Sequence, residues 1–148
     1  MERIIAAVDG SASSLKAVAV AADLASRYGA ELIFLTIMPE LSAALTAELA
    51  TYIRQEQIDV PVGELASARA ENILAGARLH AQANGADRVS TCSSSGDPAE
   101  EIIIKAKDRR ADLIVVGSRG HGRLAGLLLG SVAQKVVTHA PCPVLVVR

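Results

Sequence analysis

Short runs of apolar residues alternate along the chain with longer segments in which apolar residues recur every three or four positions. Continuous apolar runs are typical of strands buried on both faces of a parallel sheet, and the three- and four-residue spacing is typical of amphipathic helices. The pattern predicts strands at residues 4–8, 32–37, 88–93, 112–116 and 144–147. Strands that alternate with helices favour an α/β fold with right-handed crossovers and helices on both faces of the sheet.

Residue types at the ends of the apolar segments mark the predicted helices. Ser11 or Ser13 is expected to cap the first helix, which ends at Gly29, and Asp97 followed by proline is expected to start another. The apolar face of the first helix is predicted from Leu15, Val18, Ala22 and Ala25. Further helices are predicted over residues 43–56, 64–83 and 131–139, and residues 39–63 are interpreted as a peripheral excursion.

Composition limits the classes of function. The 148 residues suit one domain spanning 1–148, and a formal net charge of -1 with three aromatic residues (two Tyr, one Phe) argues against nucleic-acid binding. Apolar runs are too short for a membrane helix, and the N-terminus does not resemble a signal peptide, so we expect no membrane partner and a cytoplasmic location. Cys92 and Cys142 are interpreted as buried thiols without a disulfide or zinc role.

A glycine-rich segment follows the fourth predicted strand, with five glycines between residues 117 and 131. Glycine permits positive φ and the close approach of backbone N–H groups to a ligand. The helix that begins near Ser131 adds unpaired donors and a positive dipole end, so the segment is predicted to cradle phosphate. Arg119, His121 and Arg123 could add cationic contacts to phosphate oxygens. The alternative is a surface loop in which glycines merely turn the chain.

The spacing of these glycines is neither a Walker motif nor a dinucleotide fingerprint. The pattern Gly117-x2-Gly120-x9-Gly130-Ser131 resembles the nucleotide-binding motif of ATP-binding universal stress proteins. The resemblance extends from residues 7–11 to residues 140–147. It implies an adenine nucleotide alpha-hydrolase-like fold, a five-stranded parallel sheet of order 3-2-1-4-5, with the ligand between strands one and four.

The resemblance also implies a set of binding residues. Glycines 117, 120 and 130 with Ser131 would hold phosphates and ribose, Ile37 would meet the adenine edge through its backbone, and Val116 would pack against the base. The complete expected set is Ala7, Val8, Asp9, Ile37, Val116, Gly117, Arg119, Gly120, Gly130, Ser131, Val132 and Ala133. Family members commonly carry a hydroxyl after the serine, where this chain has Val132 and Ala133, so the number of phosphates held is open.

Among the other polar residues, Asp9 has two interpretations and the rest have one. Asp9 could contact Mg²⁺ or ribose, or it could cap the turn after strand one, and the two readings weigh equally. His80 and His139 are interpreted as structural. Glu100 and Glu101 are interpreted as a solvated face, because neighbouring helical residues point about 100° apart. No catalytic residue is identified.

The leading hypothesis is a nucleotide-gated regulatory module in the stress response that binds ATP, with Mg²⁺ as a further ligand. The alternatives are a slow ATPase or autophosphorylating enzyme, a cyclic AMP binder, and a structural dimer with no nucleotide. Residues 144–147 are expected to form an edge strand and to pair with a second copy in a homodimer. The competing expectation is that residues 39–63 cover that edge.

Overall fold

The computed structural model describes residues 1–38, 40, 43–56, 61–120 and 129–148. The strands are β1 Arg3–Ala7, β2 Glu31–Met38, β3 Val89–Ser95, β4 Leu113–Gly117 and β5 Val144–Val147. The helices are α1 Ala12–Tyr28, α2 Ala43–Gln55, α3 Val62–Ala83, α4 Pro98–Asp108 and α5 Ser131–His139. The predicted order of strands and helices is confirmed, and the bounds differ from those predicted by no more than two residues.

The five strands form one parallel sheet in the order β3-β2-β1-β4-β5, as the resemblance implied. Strand β1 lies at the centre and pairs with both β2 and β4. The chain winds from β1 through β2 to β3 on one side and then crosses to β4 and β5 on the other. The direction of winding therefore reverses between β1 and β4, which is where ligands bind in open sheets of this kind.

Side chains of the central strands alternate between two separate cores. Ile4 and Phe34 point to the face that α1 and α3 cover, and both are fully buried. Ile5 and Ile114 point to the opposite face, under α4 and α5. Burial on both faces explains why the strands are continuous apolar runs rather than alternating ones.

The buried face of α1 differs from the prediction at its first turn. Leu15 is 56% exposed, and Ser14 takes the buried position beside Val18 with 4% exposure. Ser14 is needed there because its hydroxyl donates to the carbonyl of Ser11 at 3.0 Å and accepts from the Asp9 N–H at 3.4 Å. Helical spacing alone could not distinguish these adjacent positions.

Helix ends follow the expected chemistry. The Ser11 side chain accepts from the N–H of Ser14 at 3.2 Å, so Ser11 rather than Ser13 caps α1. Gly29 ends α1 with φ 61° in the left-handed region. Asp97 caps α4 by accepting from the N–H of Glu100 at 2.9 Å.

The interpretation of Glu100 and Glu101 as a solvated face is wrong in part. Lys135 of α5 contacts Glu100 at 2.9 Å and Asp97 at 3.2 Å, which links α5 to the start of α4. Glu101 accepts a hydrogen bond from the Ser94 hydroxyl. Each glutamate therefore binds a different neighbour, which their angular separation on the helix permits.

Helix α2 lies outside the main layers. It has no buried side chain among its described residues and packs against α3. Helix α3 covers β2 and β3, at the opposite end of the sheet from β5. The described part of residues 39–63 therefore gives no support to the expectation that this segment covers β5.

Asp97 provides a test of the α4 cap. The N–H of Glu100, and then the ammonium of Lys135, lower the pKa of the Asp97 carboxyl. A carboxylate with a lowered pKa stabilises the folded state fully above its unfolded pKa of about 3.9, and the contribution is lost as pH falls through the folded value. We expect Asp97→Ala to lower the urea midpoint of unfolding at pH 7. Below about pH 4 the midpoints of the variant and the parent protein should approach each other.

Asp97→Asn keeps a capping side chain without the charge and should lose less at pH 7. The exposed Asp87→Ala substitution serves as the charge control. Equal urea midpoints for Asp97→Ala and the parent at pH 7 would contradict the structural role of the cap.

Candidate functional site

The turn between β1 and α1 is held by Asp9. Its Oδ1 atom accepts from the N–H of Ser11 at 2.9 Å, and Gly10 between them has φ 79°, which favours glycine. Asp9 therefore fulfils the turn-forming interpretation. The same carboxylate also lines a cavity at the carboxyl ends of β1 and β4, so forming the turn and contacting a ligand are compatible roles for Asp9.

Ser13 connects three elements at the floor of the site. Its hydroxyl donates to the carbonyl of Val147 in β5 and lies 3.4 Å from the N–H of Arg119, from which it accepts. A Cβ atom on Gly117 would lie 2.7 Å from that hydroxyl oxygen and 2.8 Å from the Ser13 carbonyl carbon. Only glycine lets the end of β4 approach the first turn of α1 this closely.

Two further glycines keep backbone close to neighbouring groups. A Cβ on Gly120 would lie 2.8 Å from Oδ2 of Asp9, and a Cβ on Gly130 would lie 3.4 Å from the carbonyl oxygen of Ser118. None of Gly117, Gly120 and Gly130 has a positive φ. At Gly117 close approach to backbone is the reason for glycine, and at Gly120 the tight contact falls on the end of the Asp9 side chain. At Gly130 a Cβ would make only ordinary van der Waals contact, so the fold itself does not require glycine there.

The start of α5 completes the site. Gly130 is its N-cap residue and offers no side chain, whereas α1 and α4 are capped by Ser11 and Asp97. The N–H of Gly130 donates to the carbonyl of Ser118 at 2.7 Å, which fixes the helix start against the glycine segment. The positive end of the α5 dipole is therefore left without a protein oxygen from a capping side chain.

These elements surround one cavity of about 260 Å³ at the carboxyl ends of β1 and β4. That volume is near the lower end of small-molecule sites, roughly 300 Å³. All twelve residues expected from the sequence line it, namely Ala7, Val8, Asp9, Ile37, Val116, Gly117, Arg119, Gly120, Gly130, Ser131, Val132 and Ala133. The structure brings them together, and their role in binding stays a prediction.

Sequence reasoning missed five lining residues. They are Ser14, Pro98, Ile102, Ser118 and Leu129. Pro98 and Ile102 reach the cavity because α4 packs against β2, β3 and α5, and Ile102 shares the core cluster of Val116. The signal for them was present in the strong helix start at Asp97, which places the α4 N-terminus at the same edge of the sheet.

The cavity has an apolar and a polar part. Ala7, Ile37, Ile102 and Val116 provide apolar surface from three strands and α4, and Val116 is 3% exposed. Ser131 and the backbone of the α5 start lie on the polar side. Arg119 is exposed at the rim. Such a division suits a ligand with a flat apolar group at one end and an anionic group at the other.

Several other chemical groups do not contribute to this cavity. Cys92 and Cys142 are half-buried rather than buried, and desolvation raises the pKa of both thiols, which disfavours a reactive thiolate. The ring of His139 contacts the carbonyl of Lys135, as a structural histidine would. His121 and Arg123 lie outside the described residues.

The described residues contain neither a cluster of metal ligands nor a helix suited to cross a membrane. Within residues 1–38, 40, 43–56, 61–120 and 129–148, no three His, Cys, Asp or Glu side chains group as metal ligands. Over the same part of the chain, no helix has the length and apolar character that crossing a membrane requires.

Comparison with known proteins gives a consistent result. Universal stress protein YxiE of Bacillus subtilis is 38% identical over 99% of this chain and 98% of its own length. The structure of universal stress protein UspA from Lactobacillus plantarum superposes with a TM-score of 0.82, at 27% identity over 99% of this chain and 97% of that one. A universal stress protein in complex with cAMP matches with a TM-score of 0.69, at 30% identity over 99% and 96% of the two chains.

The model of the universal stress protein family matches residues 1–148. The sheet order, the glycine spacing after β4 and the whole-chain identity to named relatives agree with that match. The chain belongs to the universal stress protein family.

Proposed function

We propose that this protein binds an adenine nucleotide, foremost ATP, in the cavity between β1, β4 and α5. The observation that carries the proposal is the start of α5, which opens onto the cavity without a capping side chain. Phosphate oxygens would accept from backbone N–H groups there and interact favourably with the helix dipole. The close packing of Gly117 against Ser13 and the hydrogen bond from the Gly130 N–H to the Ser118 carbonyl hold these groups in place before a ligand arrives.

The apolar part of the cavity suits the base. Val116 and Ile102 provide surface against which a purine ring can pack, and Ile37 ends β2 at the same edge. We propose that backbone groups near Ile37 recognise the adenine edge, as the family resemblance implies. The complex of a relative with cAMP supports an adenine-containing ligand.

Mg²⁺ is part of the proposal through the phosphates. Among the described lining residues Asp9 supplies the carboxylate, and its Oδ1 atom accepts from the N–H of Ser11. One carboxylate suits Mg²⁺, which keeps several waters and binds through one or two carboxylates plus substrate phosphates. When bound, Mg²⁺ would neutralise phosphate charge beside Asp9.

The proposed role is a nucleotide-gated module in a stress response, acting in the cytoplasm. Nucleotide at the α5 start would contact the glycine segment and change the surface offered to a partner. Cyclic AMP is the second candidate ligand, because the relative's complex holds it and because Val132 and Ala133 offer no hydroxyl for additional phosphates. A slow ATPase would need a positioned base, and among the described lining residues Asp9 is already engaged in the turn.

We further propose a homodimer through β5. The carbonyls of Pro143 and Val147 accept from the N–H groups of Ile114 and Ser118, so these carbonyls face β4. Backbone direction alternates along a strand, so the N–H and C=O of Val146 face the open edge. Among the described residues no strand pairs with this edge of β5, and an edge of this kind is competent to pair with a second copy about a two-fold axis.

Gly130→Val tests nucleotide binding. Gly130 has φ -70° and ψ 158°, an extended conformation that valine can adopt, so the fold should survive. The added methyl groups would occupy the approach to the α5 N–H groups and should weaken ATP binding at least roughly tenfold, about 1.4 kcal/mol. Ser131→Ala should cost only about fivefold, the value of one hydrogen bond.

Calorimetry with ATP and Mg²⁺ measures both affinities, and circular dichroism checks the fold. Gly76→Val is the matched control, since Gly76 is exposed on α3 with open space around it. A folded Gly130→Val protein that binds ATP as tightly as Gly76→Val would defeat the proposed site.

Val146→Pro tests the dimer. Val146 packs against the core beneath α4 and α5, so a charge at this position would disturb folding as well as pairing. Proline instead removes the outward N–H and leaves the hydrogen bonds to β4 in place. We expect light scattering to show weakened association, and calorimetry to show a lowering of the unfolding temperature that reflects only the lost packing of the Val146 side chain.

A monomer of the unmodified protein at micromolar concentration would rule out the proposed dimer. A folded Val146→Pro protein with unchanged dimer affinity would show that association uses another surface.

A further inference from the structure

A second cleft, of about 290 Å³, lies on the other side of the Ser118–Arg119 segment from the nucleotide cavity. It is lined by Ala12, Ser13, Lys16, Ser118, Arg119 and Arg148. We propose that this cleft binds a phosphate-class oxyanion, held by the cationic side chains of Lys16, Arg119 and Arg148. This proposal goes beyond nucleotide binding and does not require it.

The charge of the cleft is the first argument. Lys16, Arg119 and Arg148 come from α1, the glycine segment and the end of β5, yet they line one concave surface. Among the described residues, the cations that form ion pairs are Arg3, Arg27 and Lys135. Over that part of the chain, no carboxylate lies within 4 Å of the charged groups of Lys16, Arg119 and Arg148. In a chain of net charge -1, three cations that take no part in the ion pairs of the described residues make a local positive field that attracts anions.

Neighbouring groups suit a tetrahedral oxyanion in particular. The cleft includes Ala12 and Ser13, the first two residues of the 17-residue helix α1, which has no acidic residue in its first turn. The positive end of the α1 dipole therefore adds to the field of the side chains. Two arginines and a lysine offer several charge-assisted donors to phosphate oxygens.

The wall between the two cavities is packed. Ser13 bonds to Val147 and Arg119, and Gly117 approaches Ser13 too closely to admit a Cβ. Ser118, which is 6% exposed, and Arg119 belong to the lining of both cavities. The guanidinium of Arg119 can therefore serve an anion on either side, so occupation of the cleft would be coupled to the nucleotide site.

Two sources could supply the anion. One is a free phosphate, and the other is a nucleotide whose terminal phosphates extend around the exposed Arg119 at the rim rather than through the packed wall. Inorganic phosphate tests the first. We would titrate it into nucleotide-free protein at constant ionic strength and follow the amide resonances of Ser13, Lys16 and Arg148. We expect saturable shifts that weaken roughly tenfold in Lys16→Gln. They should persist in Lys107→Gln, the matched control on the opposite face of the sheet, and in Gly130→Val.

The second source is tested by the affinities of Lys16→Gln for ATP and AMP. If the terminal phosphates enter the cleft, the substitution weakens ATP binding severalfold and leaves AMP binding unchanged. The cleft is supported if Lys16→Gln weakens either the phosphate-induced shifts or the binding of ATP relative to AMP. Phosphate shifts that vanish in Gly130→Val but persist in Lys16→Gln would place the anion at α5 and overturn the proposal. Absence of any Lys16 dependence in both arms would also overturn it.

Failure of the proposed nucleotide function can be told apart from failure of the cleft. If ATP and AMP do not bind the parent protein, the inorganic phosphate titration alone decides. Saturable, Lys16-dependent shifts then support the cleft, and their absence overturns it.

Discussion

The architecture of the site depends on the contact between Gly117 and Ser13. No Cβ fits at residue 117, because Ser13 backbone and hydroxyl atoms would lie within 3.0 Å of it. The same hydroxyl bonds to the end of β5 and to the start of the glycine segment. One close approach therefore sets the positions of α1, β4 and β5 where the winding of the sheet reverses.

The two cavities follow from this contact. On one side, the glycine segment leads to the uncapped start of α5, and the cavity combines apolar surface with backbone donors. On the other side, the same segment faces Lys16 and Arg148. Arg119 lines both cavities, so the proposed nucleotide and the proposed second anion would share one cationic residue.

Much of the fold was predictable because local rules and tertiary packing agree. Continuous apolar runs identified strands buried on both faces, and the caps at Ser11, Gly29 and Asp97 appeared where residue chemistry placed them. The resemblance predicted the strand order and the set of residues around the cavity. The burial of Ser14 instead of Leu15 on α1 was not predictable from spacing, because hydrogen bonds between the Ser14 hydroxyl and the turn determine it.

Other features depended on distances that no local pattern encodes. Gly117 proved necessary for close approach to Ser13, and Gly120 lies close to the Asp9 carboxylate; both partners are more than a hundred residues earlier in the chain. The cationic cleft was missed for the same reason, since Lys16, Arg119 and Arg148 are widely separated in sequence.

The most direct test of the central claim is the affinity of the protein for ATP and for GTP, measured by calorimetry with Mg²⁺ under identical conditions. Backbone groups that pair with the adenine edge would face mismatched groups on guanine and lose their hydrogen bonds. ATP is expected to bind at least roughly tenfold more tightly than GTP. Equal affinities would contradict adenine recognition near Ile37, and no binding of either nucleotide would contradict the proposed function as a whole.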